Sequence, residues 1–400
     1  MKRDLTVEEQ LSRGPVDMPF LMLTLLLTGI GLVMVFSASF ASAYYDAKVA
    51  KNDPAFYFVR QAVFGVMGIV IMYITSKINY QTFRWMSVFA LGASFVLLIL
   101  VIPFGFGRAT VGAQRWMYIG PINLQPSEVA KLGVIMYFSA RLSKRGTEKK
   151  KQYDKRKLSG RILIFLDSIG FLELIPYVLV LGAVAGLLLL EPHMSGTILI
   201  LVAGASVLFA AGVKFYWFIA GGTVVGAGLW YVITQTPYMA SRIELWLNPW
   251  SDKLGKGYQT IQSLLAVGSG GLLGVGLGNS RQKFLYLPEP ENDYIFSIVC
   301  EELGYIGAAI VLILFALLII RGYWIAVHAR DRFGALLVVG ITSLMAVQVF
   351  LNIAVITNLI PVTGISLPFF SYGGTALMIQ LLEMGIVLSV SRQIPAARAG

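Results

Sequence analysis

Apolar runs recur along this chain at lengths that match a membrane crossing, with polar segments between them. A hydrocarbon core of about 30 Å needs roughly 20 apolar residues per helical crossing. About ten such runs are present, at 19–40, 57–76, 87–105, 124–142, 172–190, 196–212, 215–235, 294–320, 334–356 and 376–391. The fourth holds Glu128 and Lys131 and the last holds Glu383, so these two read least cleanly as apolar spans. The first run is followed by Ser39-Phe-Ala-Ser-Ala43, which could pass for a leader cleavage site. That run exceeds the 7–15 residues of a leader's apolar region, and it is read as the first membrane helix. No shift in composition and no strong repeat divides the chain. The pattern predicts one all-α polytopic membrane unit over 1–400.

The polar segments fall into two sets. One is basic: the 1–17 arm with Lys2, Arg3 and Arg13, the segment from Lys77 to Arg84, the 141–171 loop, Lys214, the segment from Arg321 to Arg332, and the 392–400 tail with Arg392 and Arg398. Lys and Arg in short loops favour the cytoplasmic side, so both termini are expected there. The strongest indication is the 141–171 loop, which carries Lys144, Arg145, Lys149, Lys150, Lys151, Lys155, Arg156 and Lys157 and reads as an anchor attracted to anionic membrane lipid. The other set is then extracytoplasmic: 41–56, 106–123, the turn Glu191-Pro-His-Met-Ser-Gly-Thr197, 236–293 between the seventh and eighth runs, and 357–375.

Composition agrees with the pattern: 57% hydrophobic and 13% charged residues, with mean hydropathy +0.74. The net charge of +11 is mostly the charge of the inner face. No base-reading element accompanies it, so nucleic acid is not an expected partner. Cys300 stands alone, which rules out a disulfide framework, and two histidines cannot build a histidine metal cluster. Any metal would be a hard, oxygen-bound cation such as Mg²⁺ or Mn²⁺.

Candidate chemistry gathers on the outer side. Leu285-Tyr-Leu-Pro-Glu-Pro-Glu-Asn-Asp293 puts an acidic, proline-stiffened segment directly before an apolar run. Ionisable groups near hydrocarbon are costly and mark functional candidates. Asp293 comes with Glu289, Glu291, Asn292, Glu301 and Glu302, and reads either as a general base or as the cap of the following helix. Arg242, Lys253, Lys256, Arg281 and Lys283 share the same long segment, either as solvated surface charges or as binders of an anion such as a diphosphate. Tyr258 to Leu277 reads as an amphipathic or re-entrant piece ending in a glycine run, which implies a covered or wet cavity at that depth. Ser280-Arg-Gln-Lys283 has the Ser-x-x-Lys spacing of penicillin-binding enzymes, but the companion Lys-Thr-Gly is missing. Gly112-Ala-Gln-Arg115-Trp116 and Gln125-Pro-Ser127-Glu128 form a second polar set. There Glu128 and Lys131 suit either a mutual ion pair or substrate contact. Thr363 to Thr375, with Ser371, offers hydroxyls on a backbone broken by Gly and Pro, lining a cavity or making a plain turn.

Taken together these motifs resemble the SEDS family, whose members include FtsW, RodA and SpoVE. The matching residues are Val35-Phe-Ser-Ala-Ser39, Gly112 to Trp116, Gln125 to Glu128 with Lys131, Arg242 to Pro249, Gly257-Tyr-Gln259, Ser263 to Gly278, Ser280 to Lys283, Leu287-Pro-Glu289, Asn292 to Phe296, Glu301 to Gly304, and Thr363 to Thr375. Pro288-Glu-Pro-Glu-Asn-Asp293 looks more like the FtsW and SpoVE branch than RodA, and Glu191 to Thr197 departs from the family's usual Gln-Pro-Asp-Leu-Gly-Thr. The resemblance implies a peptidoglycan glycosyltransferase that polymerises lipid II on the outer face of the bacterial cytoplasmic membrane. It also implies release of undecaprenyl diphosphate, inversion at the donor carbon, and work beside a class B penicillin-binding transpeptidase. It makes Asp293 the catalytic residue and a candidate ligand of a divalent cation, with Arg115, Ser127, Glu128, Lys131, Arg242, Arg281, Gln282, Lys283, Glu289 and Ser371 as substrate contacts. A lipid II flippase and a division scaffold without catalysis are the alternative readings.

Overall fold

The computed structural model describes residues 14–106, 114–120, 122–145, 166–235, 243–255 and 257–394. Arg242, Lys256, most of the basic loop and both extreme termini lie outside the described residues. Each of the ten apolar runs is helical: α1 Met18–Tyr45, α2 Phe56–Lys77, α3 Gln81–Phe104, α4 Pro126–Leu142, α5 Phe171–Leu190, α6 Met194–Ala210, α7 Tyr216–Gln235, α9 Ile295–His328, α10 Arg332–Ile356 and α11 Gly374–Ser391. A further helix, α8 Tyr258–Ser269, lies in the segment between α7 and α9. Among the described residues seven helices are long and apolar enough to cross a membrane: α1, α2, α3, α5, α9, α10 and α11. The protein is an all-α polytopic membrane protein, apart from one small hairpin.

That hairpin pairs β1 Met117–Ile119 with β2 Ile122–Leu124, antiparallel. The sequence pattern does not announce it, because three-residue strands carry no readable alternation. Gly120, in the left-handed region at φ 62°, closes the turn. The hairpin delivers the chain to Pro126, the first residue of α4, where a missing N–H costs nothing.

Two local rules set the helix starts at the opposite end. Asp17 caps α1 by accepting a hydrogen bond from the Phe20 N–H at 3.0 Å, and Asp331 caps α10 by accepting from Gly334 at 2.9 Å. Helix α10 is the most internal long span together with α11; α2, α3, α5 and α9 bury much less of themselves. Val59, Val63, Val66 and Val70 of α2 are exposed, as expected of a face turned to lipid tails. Helix α11 packs on α2, α3 on α4, and α9 on both α1 and α10.

Helix α9 is broken at Gly304, whose φ of 68° and ψ of −171° are far from helical. The freed backbone groups do not go unpaired. The Val275 and Gly276 N–H groups donate to the carbonyls of Glu301 and Glu302, both at 3.0 Å, and Tyr305 and Ile306 donate to Gly271 and Leu272. The approach is possible only without side chains: a Cβ on Gly304 would sit 2.2 Å from the Gly274 nitrogen, and one on Gly274 would sit 2.1 Å from the Glu302 carbonyl oxygen. The glycine run therefore folds back onto the break and holds α8 and the 280–293 segment against α9. The break is tolerated because Gly304 is itself buried and the backbone groups it frees are paired.

Candidate active site

Asp293 lies just ahead of α9, and the helix cap is its neighbour Tyr294, which makes no side-chain capping bond. The capping role that spacing allows for Asp293 is therefore not the one the chain uses. Its main chain is fixed instead from α10. Asn352 donates through one amide nitrogen to the Asp293 carbonyl at 2.8 Å and to the Ile365 carbonyl at 2.7 Å. This single side chain clamps the acidic segment to the Gly/Pro-broken loop that precedes α11.

That loop shapes the floor beneath the carboxylate. Gly364 is left-handed at φ 70°, and a Cβ there would come 3.2 Å from Asp293 Oδ2. Ser371 accepts from the Leu367 N–H at 2.7 Å and so closes the turn. Tyr372 donates its N–H to the Glu291 carbonyl at 2.8 Å. From α2, Gln61 accepts from Gly373 at 3.1 Å and donates to the Ser371 carbonyl at 3.2 Å. Gln61 and Asn352 were not singled out in the sequence. Gln61 is the one amide of its apolar run and Asn352 shares its run with Gln348, and an amide set among apolar residues is the signal that could have marked them.

The Asp293 carboxylate is partly exposed and accepts no hydrogen bond among the described residues. Burial foremost, and then the field of Glu289, push its pKa from 3.8 up to about 6 against the opposing field of Arg115. At neutral pH it is largely ionised, yet basic enough to accept a proton. Glu291 is buried, accepts from Ser42 at 3.1 Å, and is also raised by burial.

The other expected contacts separate into groups. Arg115 acts electrostatically on Asp293 and donates to the Pro192 carbonyl at 2.6 Å, so it lies between Asp293 and the α5–α6 turn. Glu128 and Lys131 form the ion pair that their spacing allows, at 2.7 Å, with Lys131 only 2% exposed. The buried Ser127 hydroxyl has no partner. Glu289 is exposed, with φ 47°, and accepts from Asn292 at 3.1 Å. Arg281 is exposed. Gln282 leaves its side-chain oxygen unpartnered.

Lys283, expected among the substrate contacts, is turned inward. Its ammonium donates to Glu302 at 2.9 Å, to Ser37 at 3.1 Å and to the Gly278 carbonyl at 2.6 Å. All three of its protons are in use, and the residue is 3% exposed. Glu301 completes the knot by accepting from the Ser280 hydroxyl and from the Arg281 N–H at 3.0 Å. These residues build the loop rather than face a ligand.

Among the described residues no group of three or more His, Cys, Asp or Glu side chains is placed to hold a metal. Glu289 is the carboxylate whose field acts on Asp293. A hard cation can be held by one or two carboxylates when substrate phosphates complete its shell, and Asp293 with Glu289 would supply that number.

This is a multi-pass helical scaffold with a poised carboxylate at the mouth of a broken helix, and comparison with known proteins gives the class. Residues 18–395 match the FtsW, RodA and SpoVE family, described as cell cycle proteins. The chain is 41% identical over 378 residues to Stage V sporulation protein E of Bacillus subtilis (strain 168), covering 94% of this chain and 97% of that one. It is 39% identical over 383 residues to a probable peptidoglycan glycosyltransferase FtsW of Trichlorobacter lovleyi, covering 95% and 94%. Among solved structures it superposes with TM-score 0.72 and 26% identity on a chain from "Structural coordination of polymerization and crosslinking by a peptidoglycan synthase complex", covering 96% of this chain and 99% of that one. Thermus thermophilus rod shape determining protein RodA gives TM-score 0.65 at 25% identity, covering 96% and 98%. The chain belongs to the FtsW, RodA and SpoVE family.

Proposed function

We propose that this protein is a peptidoglycan glycosyltransferase that polymerises lipid II on the extracytoplasmic face of the membrane, with Asp293 as general base. Asp293 takes the proton from the 4-hydroxyl of an incoming lipid II. That oxygen forms the new glycosidic bond to the anomeric carbon of the lipid-linked donor, whose bond to undecaprenyl diphosphate breaks with inversion. The observation that carries this reading is the Asp293 carboxylate itself: raised to about 6, chiefly by burial, without a hydrogen bond among the described residues, and seated against Gly364, whose φ of 70° favours glycine. Arg115 and Arg281 are the described cations available to the leaving diphosphate, with Arg242 proposed beside them. Asp293 and Glu289 would hold a Mg²⁺ or Mn²⁺ together with substrate oxygens, and such an ion would neutralise charge on the diphosphate.

The names of the relatives support the activity, and the likeness to a chain of a synthase complex supports a class B penicillin-binding transpeptidase as partner. The orientation, with both termini cytoplasmic, rests on the distribution of Lys and Arg. Replacing a general base costs about 10²–10⁴-fold in rate, so purified Asp293→Asn should lose glycan synthesis by about that factor while keeping the melting temperature of the parent. Fluorescent lipid II in detergent is the substrate to use. Detergent removes any second compartment, so chain formation there is not explained by flipping, and near-normal glycan synthesis by Asp293→Asn would end the base assignment.

A further inference from the structure

The glycine run that folds back onto the break in α9 presents a row of apolar side chains outward. Leu272 is 70% exposed and Leu273 80%, and Val275 and Leu277 are exposed as well. No residue from 257 to 280 is charged, and in the sequence this stretch is bracketed by Lys256 and Arg281. Contiguous apolar surface left open marks a place where something apolar lies. The row is held firmly. The Tyr305 and Ile306 N–H groups donate to the carbonyls of Gly271 and Leu272 at 2.9 and 3.1 Å, and the Lys283 ammonium donates to the Gly278 carbonyl at 2.6 Å.

What lies against it follows from α9. Ile306, Ile310, Ile313, Leu317 and Ile320 are all exposed, and their spacing of three and four puts them on one face of the helix, the face turned to the membrane. Arg321, ion-paired with Asp17 at 2.7 Å, and Trp324, whose ring lies 4.0 Å from the Arg321 guanidinium, mark the inner end of this stripe. From Ile306 to Ile320 a helix rises about 21 Å, short of the roughly 30 Å of a hydrocarbon core. Outward of the break α9 does not continue the stripe, because Ile295 to Glu302 are buried. The exposed apolar surface passes instead to the row that is hydrogen-bonded to Tyr305 and Ile306.

We infer that the glycine turn, Leu272 and Leu273 foremost, is seated in the outer leaflet with lipid acyl chains as its partner, and completes the membrane-facing surface of α9 beyond the break. Arg281, exposed at the end of the uncharged stretch, is then placed for the level of the lipid phosphates, where long cationic side chains settle. The bilayer thereby joins the Lys283 knot in setting the height of the 280–293 segment, which carries Asp293.

The test is electron paramagnetic resonance of a nitroxide attached at Leu273→Cys in a Cys300→Ala background. The full chain is held at one copy per nanodisc of phosphatidylethanolamine and phosphatidylglycerol, with no other protein present. Oxygen concentrates among acyl chains, whereas a water-soluble nickel chelate is excluded from them, so the ratio of their collisions with the label reports where it sits. Ile313→Cys, on the exposed stripe of α9, gives the lipid reference, and Lys48→Cys, exposed in the 41–56 segment, gives the water reference. The label at 273 should show an oxygen-to-nickel ratio close to that at 313 and well above that at 48. A ratio like that at 48 would overturn the seating and leave the row to a protein partner or a second copy. An unchanged melting temperature shows that the labelled chain is folded. Should the label at 273 lower it, Leu272→Cys, read in the same way, decides the question.

Discussion

Two charged neighbourhoods share the stretch from Ser280 to Glu302 and are built in opposite ways. Around Lys283 every charged group is hydrogen-bonded: the ammonium meets Glu302, Ser37 and a backbone carbonyl, and Glu301 accepts from the loop that carries Lys283. Around Asp293 the backbone is clamped by Asn352, but the carboxylate has no hydrogen-bond partner among the described residues. The saturated knot fixes the path of the chain, and the fixed path lets an unsatisfied carboxylate exist where burial raises its proton affinity. Charge that is fully paired holds structure, whereas charge that is held but unpaired is available for chemistry.

The comparison can be broken at its strongest point first. Lys283→Met leaves Glu302 buried without a counter-ion and should cost about 3–5 kcal/mol, seen as a large fall in the thermal midpoint in detergent. Adding Glu302→Gln should return most of that loss, and failure of the second change to rescue would mean the pair is not the source of the effect. Next comes Gly364→Ala, which forces a side chain into a left-handed position at about 1–2 kcal/mol and presses on Asp293 Oδ2. It should lower kcat more than it lowers the melting temperature, since small displacements of a reacting group are costly. The smallest effect belongs to a pair outside both neighbourhoods. Arg145 and Glu173 meet at 2.7 Å but are 22% and 44% exposed, so Glu173→Gln should change stability by less than about 1 kcal/mol and leave activity alone.

The parts of this molecule that were legible in the sequence are those fixed by local pattern. Ten apolar runs are ten helices, and Asp293 stands out as an ionisable residue at the mouth of one of them. Lys283 was not legible. On the page it is one of several outward cations suited to an anion, and only the return of the glycine run onto the broken helix α9 carries it inward to Glu302. Asn352 is one of a few polar letters in a largely apolar helix, and its role depends on where the loop before α11 falls. Glu191 and His193 read as a departure from the usual turn, and no spacing rule reports that both are buried. Pattern gives elements, while the partners of charged groups are settled by tertiary contact.

The central claim is that Asp293 acts as an ionised carboxylate whose pKa has been raised. The direct measurement is kcat/KM for lipid II polymerisation across pH, which reports the free protein's essential base. The base must be unprotonated to work, so activity is full above the raised pKa and is lost as pH falls through it. The account predicts a tenfold loss per pH unit below about 6. A rate that stays level down to pH 4.5, or one that first falls near the ordinary Asp value of 3.8, would contradict it.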